Sequence, residues 1–290
     1  MSQTVSVVGA SGDVREAVRR GIELQGGLRL KGGERVVIKP NICNARNPYG
    51  MVNTDLGVIE AVVELVKERT DDVTVVESDN VSGPADRRAE ESGLLRKLGE
   101  LGVAFFNLSG DEFDVHEVCG VRLHIPKTVL EADYFINMPK MKTEGHVLVT
   151  LSMKNLFGVL QQARKNRLHR SLIEVLPYLA KVVRNDLIVV DGVVAMEGNG
   201  PLIGTPRDLG VVVSGSSPLP VDVVCTRMMG FDPAEVGYFV RAREMGLGDL
   251  DVDGIRVVGE DWRRFAAEFD RPLTLSAAIK SFKTIRRVYF

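Results

Sequence analysis

Residues 35–77 read RVVIKPNICNARNPYGMVNTDLGVIEAVVELVKERTDDVTVVE, and the order of patterns in this stretch decides the fold. Arg35 to Ile38 and Val73 to Glu77 are short β-branched runs suited to strands, while residues 56–69 carry a helical apolar period. Thr54 and Asp55 stand where a helix needs a capping side chain. Strand, helix, strand in that order predicts parallel pairing through a crossover. Working outward, Thr4 to Val8 and Val103 to Asn107 predict strands, residues 13–24 a helix, and Pro84 the opening of a helix ending near Gly102. Beyond them, Asp133 to Asn137, Val147 to Leu151, Leu187 to Val190 and Leu209 to Val213 read as strands, and 171–184, 219–229 and 233–245 as helices. The expected class is α/β, a largely parallel or mixed sheet flanked by helices, with two lobes and a cleft.

Residues 113–125 break the alternation: Phe113 to Val118 and Val121 to Ile125 flank Cys119-Gly120 as a small hairpin. The expected division is an N-terminal lobe over 1–130, a second lobe over 131–270 and a basic tail over 271–290. No Ser/Pro-rich linker marks residue 130, so one large unit is the alternative. The tail carries Arg271, Lys280, Lys283, Arg286 and Arg287 without an acid, which suggests an exposed or docking helix.

Composition limits the function. In 290 residues, 37 Lys and Arg oppose 39 Asp and Glu, so the molecule lacks the basic field of a general nucleic-acid binder. Three separated cysteines, Cys43, Cys119 and Cys225, make neither a disulfide framework nor a metal motif, and a reducing cytoplasm is the expected location. No apolar run approaches the roughly 20 residues that span a bilayer, so no membrane partner is expected.

Charge is instead concentrated locally. From Tyr134 to Ile173 there are seven cations, Lys140, Lys142, Lys154, Arg164, Lys165, Arg167 and Arg170, against the single acid Glu144. A solvated face explains Arg164 to Arg170 equally well, but Lys142 and Lys154 sit among apolar and small residues, where a buried ammonium needs a partner. His146 and His169 add groups that exchange protons near neutral pH. Lys39 and Asn41 end an apolar strand, where ligands gather in open α/β sheets, although a solvated turn would also place them there. A small anion, phosphate or carboxylate, is the natural partner. His146 and Lys154 are the candidate catalytic residues, and Lys39, Asn41, Lys142, Asn155 and His169 the candidate substrate contacts. Asp191 and Glu197 flank a glycine-rich segment read as a loop that could bring both carboxylates onto a divalent cation or set them as acid and base, a capped turn being the plainer reading. Asp222 reads as a first-turn residue of its helix.

The order of motifs resembles a known family. Val36-Val37-Ile38-Lys39-Pro40-Asn41, Ile136 through Thr143, Thr150 through Gly158, Asp191-Gly192 and Glu197-Gly198-Asn199-Gly200-Pro201 together look like the domain of unknown function 362 family, over about residue 4 to Gly259. Many members of that family carry a ferredoxin-like iron–sulfur module. This chain has too few cysteines for a four-cysteine cluster and none after Cys225, so the expectation is a form without it. The family commonly has a His directly after the Lys-Thr pair; here Glu144 and Gly145 intervene before His146. A fainter likeness, of arrangement more than sequence, is to lactate racemases, which tether a nickel–pincer nucleotide to a Lys; His146 and Lys154 follow a comparable order in different local residues. The resemblance implies a fold and a site but no reaction. An anion-binding enzyme with acid/base chemistry is the first expectation, and a carrier, or a redox protein working with a separate iron–sulfur partner, the alternative.

Overall fold

A computed structural model describes residues 3–162 and 165–289, apart from the side chains of Lys283 and residues 286–289; Arg164 of the basic window lies outside the described residues. The strands are β1 (Thr4–Gly9), β2 (Val36–Pro40), β3 (Val73–Glu77), β4 (Ala104–Asn107), β5 (Phe113–Val118), β6 (Val121–Pro126), β7 (Tyr134–Met138), β8 (Lys140–Glu144), β9 (Leu148–Thr150), β10 (Leu187–Glu197), β11 (Thr205–Gly215) and β12 (Arg256–Gly259). The helices are α1 (Val14–Leu24), α2 (Leu56–Lys67), α3 (Ala85–Glu91), α4 (Leu94–Leu101), α5 (Lys127–Leu130), α6 (Ser152–Asn155), α7 (Leu172–Val182), α8 (Pro218–Met228), α9 (Gly237–Glu244) and α10 (Leu275–Tyr289).

One mixed sheet carries the molecule, in the order β12-β1-β11-β10-β7-β2-β3-β4, with β8 beside β10 and β9 beside β8. The β-branched runs that mark the strands bury alternate residues on its two faces. Val37, Phe135, Ile188 and Val190 enter one core, which α7, α8 and α9 cover, and Val36, Ile38, Ile136 and Val189 enter the other, beneath α1, α2 and α4. Two-sided burial is why these strands read as continuous apolar runs. The α1 and α2 starts are fixed by Asp13 and Asp55, whose side chains accept from Arg15 N and Gly57 N.

The sheet corrects the division near residue 130. β7 lies between β2 and β10, in parallel register with both, so the chain on either side of that point builds one sheet. The β5–β6 hairpin stands apart as its own two-stranded sheet. In the glycine-rich acidic segment, Asp191 to Glu197 is strand rather than loop, part of the long antiparallel arms of β10 and β11, paired from Ile188↔Gly215 to Glu197↔Thr205 around a bulge at Gly192 and Val194, and residues 198–204 form the turn that joins them. Its glycines serve close packing, since a Cβ on Gly192 would lie 2.8 Å from Val211 Cγ1.

An ion pair closed to water ties β8 to β10. Lys140 Nζ donates to Asp191 Oδ2 at 2.7 Å with both side chains at 0% exposure. The same carboxylate accepts from Asp55 N at 2.7 Å and Val193 N at 3.0 Å, which joins the start of α2 to the sheet. Removing one partner of such a pair leaves a bare buried charge, at a cost of about 3–5 kcal/mol. Asp191→Ala is therefore expected to lose about that much in urea unfolding, and adding Lys140→Met to recover a large part of it. A double variant as unstable as the single one would show that the backbone contacts, not the stranded ammonium, set the cost.

Candidate functional site

The parallel strands β2, β3 and β7 run in the same direction, and each carries a polar residue at or next to its last position: Lys39, Glu77 and Asn137. The Lys39 side chain is fully buried; its Nζ donates to Pro40 O at 2.9 Å, Glu77 Oε2 at 3.0 Å and Asn155 Oδ1 at 3.4 Å. Asn155 returns Nδ2 hydrogen bonds to Asn137 Oδ1 at 2.8 Å and Lys39 O at 3.3 Å, while its Oδ1 also accepts from Asn41 Nδ2 at 3.1 Å. Asn41 Oδ1 in turn accepts from Lys142 Nζ at 2.8 Å, and that ammonium also donates to Val52 O at 2.8 Å and Cys43 Sγ at 3.2 Å. Glu77, Lys39, Asn155, Asn41 and Lys142 thus form a continuous buried network. Its satisfied groups hold one another in place. Burial still pushes the Lys39 ammonium below the ordinary lysine value, with Glu77 opposing.

Above this floor stands α6, a single turn. Asp222, reaching from α8, accepts from Ser152 N at 2.8 Å and Met153 N at 3.0 Å and so caps it. Burial lifts the Asp222 carboxyl to about 7 against the pull of those donors. Asn155 points into the network, and Lys154 beside it lines a cavity of 330 Å³. The Lys154 ammonium lies 4.8 Å from the Phe157 ring centroid, and among the described residues it makes no hydrogen bond or ion pair. Burial pushes its pKa down; Glu144 opposes this, and Lys142 and Lys39 add to it.

Five further residues border the cavity. Glu144 Oε1 meets His146 Nδ1 at 2.6 Å, and Glu144 Oε2 accepts from His146 N and Val147 N, both at 3.1 Å. An ionised Glu144 only accepts, so the proton sits on Nδ1 and Nε2 is left for a ligand. The His146 and His169 rings are 4.5 Å apart, and burial lowers the His169 pKa, with Lys154 as the next cause. Lys165 donates to Ser78 Oγ and is 5% exposed; burial brings it down to about 7, and Lys39 and Arg88 act in the same direction against Glu77. Thr150 also lines the cavity, with a buried Oγ1 that has no hydrogen-bond partner among the described residues.

The structure brings Lys39, Asn41, Lys142, His146, Lys154, Asn155 and His169 to the wall of this one cavity. Asp191 and Glu197 are elsewhere, and their assignment to a metal is corrected. Both lie on β10, where six residues of strand separate them by roughly 20 Å. Asp191 is committed to Lys140, and Glu197 Oε2 accepts from Asp270 N at 3.3 Å. No cluster of three His, Cys, Asp or Glu that could hold a cation occurs among the described residues. Nor is either acid the counter-charge of Lys154, a role that falls to Glu144. Sequence reasoning passed over Glu77, Cys43, Thr150 and the site role of Lys165. Glu77 could have been found, as an acid ending an apolar strand parallel to the one that Lys39 ends.

A family model described as Domain of unknown function (DUF362) matches residues 36–227. The chain belongs to the DUF362 family. The whole cavity wall, from Lys39 to Leu202, and the cap Asp222 fall inside the matched region, whereas α10 falls outside it. A thylakoid-associated protein of Synechocystis sp. is 30% identical over 250 residues, which cover 82% of this chain and 76% of that protein. Among solved structures, the lactate racemase apoprotein of Thermoanaerobacterium thermosaccharolyticum matches at 12% identity and TM-score 0.40, covering 74% of this chain and 54% of its own. A Thermotoga maritima protein matches at 11% identity and TM-score 0.38, covering 86% and 60%. The chain thus spans about half to three-fifths of these two structures.

Two expected outcomes follow from the packing. A Cβ on Gly158 would lie 2.6 Å from Lys39 Nζ and 2.9 Å from Glu77 Oε1, so Gly158→Ala must part a buried ion pair and is expected to cost about 1–3 kcal/mol in chemical unfolding. An unchanged midpoint would show that the pair can yield. Lys165 releases its proton at about 7 in the folded chain against 10.5 as its ordinary value. Between those values the unfolded chain binds more protons, so stability rises with pH, and Lys165→Met is expected to flatten that rise in thermal unfolding across the interval. An equally steep rise in the variant would assign it to other groups.

Proposed function

We propose that this DUF362 protein binds a small anion, a phosphate or carboxylate compound, in the 330 Å³ cavity, and that His146 exchanges a proton with the bound molecule. One observation carries the reading. Three lysines of the cavity have acceptors in the protein, and the fourth, Lys154, has none among the described residues. An ammonium held at a cavity wall with no hydrogen-bonded acceptor, its nearest acid Glu144 acting only through space, lowers its free energy when an anion arrives. The unpartnered Thr150 hydroxyl offers the same ligand a neutral hydrogen bond. Glu144 orients His146 as a carboxylate orients an imidazole in acid/base catalysis, and supports its imidazolium form when a proton is taken up. Reducing surroundings, and hence the cytoplasm, suit a chain whose three cysteines are all unpaired.

Replacing Lys154 tests the reading. Lys154→Met keeps the apolar stem over Phe157 and deletes the charge, so titration calorimetry with inorganic phosphate or succinate should show affinity falling about ten- to a hundredfold. Thermal stability should hold or rise, because an unpaired ammonium has been removed. In the wild type, affinity should fall as pH rises through the lowered Lys154 pKa, where the ammonium becomes a neutral amine. Equal affinities in wild type and variant would make Lys154 a scaffold residue and end the proposal.

A further inference from the structure

The last helix packs in an inverted sense. Its contact with the body runs through small residues: Ala277, Ser281 and Thr284 are 1%, 2% and 2% exposed. Ala277 sits against Gly198, and Asn199 Nδ2 donates to Ser281 Oγ at 3.1 Å. The large apolar residues face away, with Leu275 79% exposed, Ile279 68% and Phe282 78%. Their spacing of four and three puts them in one stripe along the helix. Leu273, just ahead of it, is 81% exposed, and together with Pro201, Leu202, Ile203 and Pro272 it extends the apolar surface into a groove at the start of α10. A helix stabilised only by its own fold would place these side chains inward.

Charge narrows what covers this face. From Arg271 to the end of the chain there are five cations and no acid, in a protein whose net charge is −2. The described ion pairs here, Lys280 with the half-buried Asp270 and Arg271 with the exposed Glu235, both leave their cation open to solvent, and such pairs exchange readily for other anions. A second copy of the same helix would bring like charges together. An anionic lipid surface accepts both properties, the apolar stripe into its acyl boundary and the cations among its headgroups. No helix among the described residues is long and apolar enough to cross a membrane, so the contact is with the surface.

We propose that α10 is a membrane-surface anchor, lying flat on an anionic bilayer with Leu275, Ile279 and Phe282 inserted and Arg271 and Lys280 among the headgroups. An interfacial helix needs no spanning segment. This inference is independent of the anion cavity.

Co-sedimentation of the full chain with vesicles tests it. The wild type should pellet with phosphatidylcholine vesicles containing phosphatidylglycerol, pellet far less with phosphatidylcholine alone, and be released by added salt. Ile279→Ser with Phe282→Ser should lower the partition about tenfold or more, with an unchanged circular dichroism spectrum because both side chains are exposed. Lys280→Gln with Lys283→Gln should weaken binding to the anionic vesicles alone. A wild type that stays in the supernatant with both vesicle types overturns the proposal, as does equal partition of the serine variant. A dimer that Ile279→Ser with Phe282→Ser dissociates, in a chain that ignores vesicles, would give the face to a second copy.

Discussion

Every element around the cavity is placed by the need to supply acceptors to buried ammonium groups. Lys39 and Lys142 are fully closed to water and close to one another through Asn41 and Asn155, and an ammonium in that setting persists only with its hydrogen bonds made. Glu77 therefore ends β3 beside Lys39, Asn137 stands one residue from the end of β7 against Asn155, and the segment after β2 turns back so that Val52 O and Asn41 Oδ1 face Lys142. Once these groups are committed, Lys154 is the ammonium left over, at the one place in the network where α6 lifts a side chain clear of it. The rigidity of the floor and the readiness of the wall have the same origin.

How far the sequence revealed this depended on what each residue needed from its neighbours. Strands β2, β3, β7 and the first half of β10 were legible because burial on both faces writes an unbroken β-branched run. Strand β8 was not, because Lys140-Met141-Lys142-Thr143-Glu144 is buried through hydrogen bonds and ion pairs, which leave no apolar period to read. The stretch from Asp191 to Glu197 reads as a loop in sequence because glycine is the common signal of both turns and close packing; at Gly192 a Cβ would lie 2.8 Å from Val211 Cγ1. The cavity residues Lys39, Asn41, Lys142 and Asn155 could be picked out as polar residues in apolar surroundings, whereas Lys165 was hidden in a run of cations that the sequence allows to be solvated. Asp222, read as serving its own helix, serves α6 instead, a pairing across 70 residues that no local pattern announces.

The family match sharpens the contrast between the two ends of the molecule. The hydrogen-bonded floor, the cavity wall and the Asp222 cap all lie within the matched residues 36–227, which form a single framework in this chain. Helix α10, with its outward apolar stripe, lies beyond it and is joined to that framework through Gly198 and Asn199, directly after β10. The turn between β10 and β11 thus touches both: Pro201 and Leu202 border the cavity on one side and the groove under Leu273 on the other.

The position of β1 has a consequence for the birth of the protein. Its neighbours in the sheet are β11 and β12, so Ser6 pairs with Ser214 and Thr4 with Arg256. The separation of 208 residues at the first of these pairs means that β1 leaves the ribosome long before its neighbours are made. At ordinary elongation rates that delay is on the order of ten to forty seconds, during which Val5, Val7 and Val8 have no sheet to enter. High contact order of this kind makes closure of the β1 edge a late event, and leaves β1 without its sheet partners in the nascent chain until β11 and β12 have been made.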